Sequence, residues 1–282
     1  MAIPLSVPNM SRTAETMLEV PRLPKTAAAA GLKLTWARQV LLPGAVAVAL
    51  ICLWQAAIVL TNFPRVIVPA PSDIALSIAA NRVLLLQHSW PTIATAVEGF
   101  VISTVLGAVL AIAVVSFRTV RDAVFPSLVA FQIIPKIALA PIFVIWLGTG
   151  LESRLAFTVF ISFFSILIAM SDGLETVESS LLKLCRSLNA TKLRVLVHVQ
   201  LPTAVPFLLA GMKIAITMAM IGTIVGEFIA SRAGLGYLIL TAAGRLDTNL
   251  IMASIAVLCA WGLLLYGAVE LFERTVTRWI GS

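Results

Sequence analysis

The chain has 282 residues, of which 60% are hydrophobic and 12% charged, with a mean hydropathy of +1.03 and a formal net charge of +7. Soluble domains carry about a quarter charged residues, so this composition excludes an ordinary water-soluble enzyme or binding module. The positive charge is interleaved with apolar runs rather than gathered in a patch, which sets nucleic-acid binding aside.

Residues 1–25 hold several prolines and read as a loose tail, and 26–38 predict an interfacial helix anchored by Trp36. No cleavable signal peptide is expected, because the first apolar run begins near residue 40 and is too long for one. Apolar runs of bilayer length, some split by a single charge, predict six transmembrane helices at 40–61, 92–116, 123–149, 153–174, 203–230 and 248–270. The expectation is an all-α membrane protein, with a cytoplasmic tail at 1–39 and one membrane domain at 40–282. Cys52, Cys185 and Cys259 are scattered without metal or disulfide spacing and read as small buried hydrophobes.

After the first span, Pro69 and Pro71 stiffen a loop, and Ser72 or Asp73 can cap a short helix running to Arg82. His88–Thr92 then leads into the second span, with Trp90 at interface depth. That span carries Glu98, and its Gly99, Ser103, Gly107 and Ala111 share one face, the spacing of close helix packing in lipid.

The third span contains Pro135 and Pro141, each of which removes a backbone donor and obstructs the preceding turn. A broken helix at membrane depth must have its freed carbonyls satisfied by protein or by a water-lined cavity. With Lys136 at the break, two readings stand: a segment lining a pathway, or a kinked helix with a snorkelling lysine. The fifth span holds Lys213 and, near its outer end, Glu227, followed by Ala233-Gly234-Leu235-Gly236-Tyr237. Glu227 either faces a pathway or serves as a structural ion pair or cap.

Between the fourth and fifth spans lies a basic loop at 175–202. Its apolar residues fall at helical spacing, first Leu181, Leu184 and Leu188, then Leu193, Leu196 and Val197. Asn189 separates the two sets and readily accepts the left-handed conformation that ends a helix. Thr191 stands where an N-cap hydroxyl would start the next helix. With the N-terminus inside, thirteen Lys and Arg residues fall on the side of this loop. Five (Arg65, Arg82, Arg154, Arg232 and Arg245) fall on the other, so both termini are expected in the cytoplasm.

Counting back from Leu201-Pro202, the loop resembles the coupling loop of bacterial ABC importer permeases. Val199 stands at that motif's Ile, Asn189 at its Gly, and Lys183-Leu184-Cys185 at its Glu-Ala-Ala, so the spacing matches while Lys183 reverses a charge. Ile134-Pro135-Lys136, Ala140-Pro141 and Trp146–Gly150 are similar to the subfamily serving nitrate, sulfonates, taurine, bicarbonate and pyrimidine vitamin precursors. The resemblance covers about residues 40–280 and implies a type I importer permease of the bacterial inner membrane. It further implies a second copy of the chain, two ATPase subunits and an external, periplasmic or lipid-anchored, binding protein meeting outer loops at 63–90 and 231–246.

The ATPase would grip Lys183, Leu184, Arg186, Leu188, Asn189, Ala190, Thr191 and Arg194. No Gly-x-x-x-x-Gly-Lys-Ser/Thr motif is present, so ATP and Mg²⁺ would be used by that partner, and the chain itself is expected to hold no cofactor and to be no enzyme. Candidate pathway residues are Glu98, Pro135, Lys136, Pro141, Lys213 and Glu227. Lys136 tilts the expected substrate toward a small anion such as a sulfonate, nitrate or carboxylate; a neutral or cationic vitamin precursor is the alternative. An ion-gradient transporter could use Glu98, Lys136, Lys213 and Glu227 as a relay, but it has no use for a coupling loop. A membrane-embedded enzyme is set aside, since His88 and His198 fall on opposite sides of the membrane.

Overall fold

The computed structural model describes residues 25–61 and 64–280, and the side chains of 25–40 and a few later positions are not described, so residues 1–24 of the predicted tail and the Trp36 side chain lie outside it. Among the described residues every regular element is helical. The chain divides at Thr61. The first unit contains α1 (Lys25–Thr61), one continuous helix through the 26–38 segment and the first predicted span.

The second unit opens with α2 (Pro71–Ala80), where Pro71 occupies the first turn and Asp73 accepts a hydrogen bond from the Ala70 N–H at 3.3 Å. Asn81 interrupts the chain, and α3 (Arg82–Ser116) follows. This second long helix therefore starts ten residues before the predicted span, carrying Trp90 and Pro91 inside it. The sequence offers Pro91 as an entry signal, yet α3 continues through it, as apolar helices can when neighbours re-satisfy the freed carbonyl.

Next come α4 (Arg118–Ile133), a 3₁₀ turn at Lys136–Leu139, α5 (Ala140–Leu147) and α6 (Leu151–Glu175). The connecting loop holds α7 (Ser179–Ser187), α8 (Lys192–Val195) and a π turn at Leu196–Gln200. Finally come α9 (Leu201–Ala230), α10 (Leu235–Gly244) and α11 (Thr248–Ile280). Five helices among the described residues are long and apolar enough to cross a bilayer; the third predicted span is the one that is broken.

Packing shows that this broken segment nonetheless crosses. A Cβ at Gly107 would lie 2.7 Å from the Ile166 side chain, and Gly99 sits equally tightly on Thr158, so α3 and α6 advance together and are parallel. Gly222 and Gly226 abut Thr158 and Arg154, Gly211 abuts Ala169, and Gly173 abuts Ala204, so α6 and α9 are antiparallel. Two parallel crossings joined by residues 117–150 require that segment to return across the membrane.

α6 thus lies between two small-residue faces, one from α3 (Gly99, Ser103, Gly107, Ala111, all buried) and one from α9. Without a hydrophobic driving force between helices in lipid, such close backbone approach is what holds them together. Phe100, Ile166, Ala215, Ile216, Ala219 and Val269 fill the centre.

Gly107→Leu is expected to destabilise the unit by about 1–3 kcal/mol through overpacking. In detergent its thermal midpoint should fall by about 2–4 °C for each kcal/mol. Gly267→Leu, with nothing within 4 Å of its added Cβ, should leave the midpoint unchanged, and equal effects at both sites would refute the seam.

One expectation needs correction: Cys52 and Cys259 are exposed and Cys185 only half-buried. A thiol is apolar enough to face lipid, so an apolar run does not predict that its cysteines are covered by protein.

Candidate functional site

The loop at 175–202 folds as a helix, a tight turn and a second helix. α7 ends at Ser187 with Leu188 as its C-cap, and Asn189 after it adopts φ 53°. The Ala190 N–H donates to the Cys185 carbonyl and the Asn189 N–H to the Arg186 carbonyl, each at 3.0 Å. This pair of bonds is the Schellman arrangement, which satisfies orphan carbonyls when one residue turns left-handed. Thr191 then caps α8, its Oγ1 accepting from the Arg194 N–H at 3.4 Å. The π turn that follows sits just before Pro202, whose ring would otherwise press on the carbonyl four residues back.

The loop carries an unusual amount of exposed apolar surface. Leu188 is 73% and Leu193 71% exposed, and Leu181, Leu184 and Val197 are exposed too. Lys183, Arg186 and Arg194 are exposed around them, and Ala190 is half-buried. An apolar cluster rimmed by charge on an extramembrane turn is the pattern of an interaction surface.

Both roots of the loop are clamped. At the end of α6, Glu175 Oε2 accepts from Arg121 Nη2 at 2.6 Å while Nε stands 2.5 Å from Oε1, a charge contact rather than an aligned bond. Gln200 Nε2 donates to the Leu174 carbonyl at 3.4 Å, joining the π turn to the same helix end. These contacts tie the loop to α4, α6 and α9. Sequence reasoning does not single out Arg121 or Glu175, and the only signal was one basic and one acidic residue at neighbouring span ends.

The break in the third span is local chemistry. Ile134 takes ψ 130°, the extended conformation imposed on a residue before proline, and α4 stops there. Pro141 does not break a helix; it lies in the first turn of α5, where no donor is missed. Lys136 is half-buried with its ammonium 4.6 Å from the centroid of the Phe164 ring, a cation–π contact. Phe164 also stacks on Phe131 and meets Phe160 and Phe163 edge-on. Pro135 and Pro141 are exposed, as is Glu98 on α3.

The remaining two candidates are engaged elsewhere. Lys213 on α9 pairs with Glu273 on α11 at 2.6 Å. Glu227 is 1% exposed. Its Oε1 accepts from Thr92 Oγ1 at 2.8 Å, its Oε2 accepts from the Gly236 N–H at 2.7 Å, and Arg154 Nη1 stands 3.9 Å away. The structure thus brings Glu227 together with a cap and a basic group, and with neither Lys136 nor Glu98. His88, Thr92 and Arg154 belong to this cluster through the tertiary fold alone, and no sequence spacing ties them to Glu227.

The family model described as "Binding-protein-dependent transport system inner membrane component" matches residues 103–278. The chain is 34% identical to the riboflavin transport system permease protein RibX of Chloroflexus aurantiacus, over 83% of this chain and 88% of that one. It is 33% identical to the formylaminopyrimidine transport permease protein ThiX of Halalkalibacterium halodurans, over 82% of this chain and 92% of that one. In structure it is similar to the inward-facing MetNI methionine ABC transporter, with a TM-score of 0.58 and 18% identity over 71% of this chain and 98% of that chain, a likeness of fold.

Proposed function

Because the chain belongs to the family of binding-protein-dependent transport system inner membrane components, we propose that its 175–202 loop is the surface through which a partner ATPase drives it. It is a multi-pass permease of the bacterial inner membrane, a transport component rather than an enzyme. Family membership sets the ion-gradient alternative aside. The observation that carries the coupling role is the exposed apolar turn at Leu184, Leu188 and Leu193, rooted rigidly in α6 and α9.

Leu184, Leu188 and Leu193 anchor in a cleft of the ATPase, Asn189, Ala190 and Thr191 form the tight turn, and Lys183, Arg186 and Arg194 form the charged rim. ATP and Mg²⁺ are used in that partner, and the loop lies on the cytoplasmic side with both termini. Two copies of the chain enclose the pathway, since one alone shows no internal duplication. An external binding protein delivers the solute to the outer loops.

Within the pathway we assign Glu98, Pro135, Lys136 and Pro141, exposed or half-buried residues on or beside the broken span. A charge at bilayer depth is costly unless it faces water or a partner, which supports a wet surface at Glu98 and Lys136. Lys136 favours a small anion, a sulfonate, nitrate or carboxylate. The names of the relatives at 33–34% identity favour a second reading, a heterocyclic vitamin or vitamin precursor. Lys136→Ala is expected to lower uptake at least tenfold (about 1.4 kcal/mol) with ATPase association unchanged. The measurement is competition by taurine, nitrate, a carboxylate and riboflavin in cells overproducing the transporter. Wild-type uptake by the variant removes Lys136 from the pathway.

A further inference from the structure

The chain between α9 and α10, Ser231–Gly234, is non-helical, and several of its backbone groups find partners within the protein. Those partners are side chains. The Ala233 N–H donates to Ser231 Oγ at 3.1 Å, and that hydroxyl, held also by Arg154 Nη1 at 2.9 Å, donates to the Ala233 carbonyl. His88 Nδ1 lies 3.1 Å from both the Gly234 N–H and the Gly234 carbonyl oxygen, and the ring stacks on Tyr237. The first two N–H groups of α10 are bound in the same way: Leu235 donates to Thr92 Oγ1 at 2.8 Å and Gly236 to Glu227 Oε2 at 2.7 Å.

A helix leaves its first N–H groups without intrahelical partners, and an N-cap residue usually supplies the acceptor from its own side chain. Here the N-cap is Gly234, which has no side chain to offer. The cap arrives in trans, from α3 through His88 and Thr92 and from α9 through Glu227. The Thr92 hydroxyl donates to Glu227 Oε1 while accepting from Leu235, so the two residues act as one unit. The helix they hold has ten residues, about 15 Å long, half a bilayer. It packs on α9, α11 and α3.

We propose that Thr92 and Glu227 are positioning residues for transport: their trans cap fastens α10 to the α3–α6–α9 core, so that this half-length helix moves with the core as one body during turnover. This rests on the permease reading, since turnover has meaning only for a transporter, whereas the latch itself can be measured without it.

The test is hydrogen–deuterium exchange by mass spectrometry on the full chain in lipid nanodiscs. Glu227→Ala and Thr92→Ala should each speed exchange across 231–244 at least tenfold, with α3, α6 and the rest of α9 unchanged. The double variant should be no faster than the faster single one. Glu227→Gln keeps an oxygen for the Gly236 N–H and Thr92→Ser keeps the hydroxyl, so both should stay within threefold of wild type. Unchanged exchange in α10, or a uniform rise over all helices without rescue by the conservative variants, overturns the latch. With the ATPase bound, wild-type α10 should be protected equally with and without Mg-ATP and vanadate; deprotection during trapping means that α10 hinges, and overturns its movement with the core. Failure of any ATPase to bind would instead count against the permease reading and leave the latch measurement standing.

Discussion

Replacing Leu188, Asn189 and Ala190 together by aspartate is expected to abolish co-purification with the ATPase subunit while leaving the membrane helices folded. Leu188 is largely exposed in the isolated chain and gains its burial only from a partner. A buried leucine contributes on the order of 2 kcal/mol, and placing three carboxylates in an apolar cleft adds a desolvation cost of at least that size. A total loss of about 4 kcal/mol is roughly a thousandfold in affinity. The turn itself should survive, because aspartate tolerates the left-handed conformation of Asn189 nearly as well. The measurement is the stoichiometry of ATPase retained on the tagged permease, with the thermal midpoint of the permease as control. Undiminished retention would show that the ATPase grips another surface.

Gly234→Ala should be the most damaging single methyl addition in the second unit. Gly234 has φ +113°, which an L side chain rarely adopts, and its added Cβ would overlap the Glu227 carboxylate. That carboxylate cannot withdraw, because one oxygen is held by Thr92 and the other by the Gly236 N–H. Backbone strain and a broken buried network together put the loss on the order of 4 kcal/mol. The expected outcome is little or no folded protein by size-exclusion fluorescence. Gly244→Ala, at the far end of α10 with nothing within 4 Å, should behave as wild type. If Gly234→Ala is as stable as wild type, the Glu227 carboxylate does not pack against Gly234.

These two sites differ in how they are encoded. The turn at Asn189 was legible in the sequence because its cause is local: a residue tolerant of positive φ between two apolar helical patterns, with Thr191 placed to cap. The break at Pro135 was legible for the same reason, as proline's ring acts on its immediate neighbour. The spans themselves follow from hydropathy, a property summed along the chain, and the four-residue spacing of small residues in α3 announced its packing face.

The partners of the polar side chains were decided only by the tertiary structure. Glu227 meets Thr92, which lies 135 positions earlier, and the loop is braced by Arg121 and Glu175, 54 positions apart. Lys213 finds Glu273 on another helix. Glu227 read alone is compatible with a pathway or with a structural pair. Which atoms it meets depends on how helices pack, and here that is set by the glycine contacts that hold α3, α6 and α9 in register. Hydropathy and backbone preference act over a few residues, so they placed the helices and the turns. Satisfying a buried charge needs an atom within about 3 Å, and that atom comes from whichever helix the packing brings there.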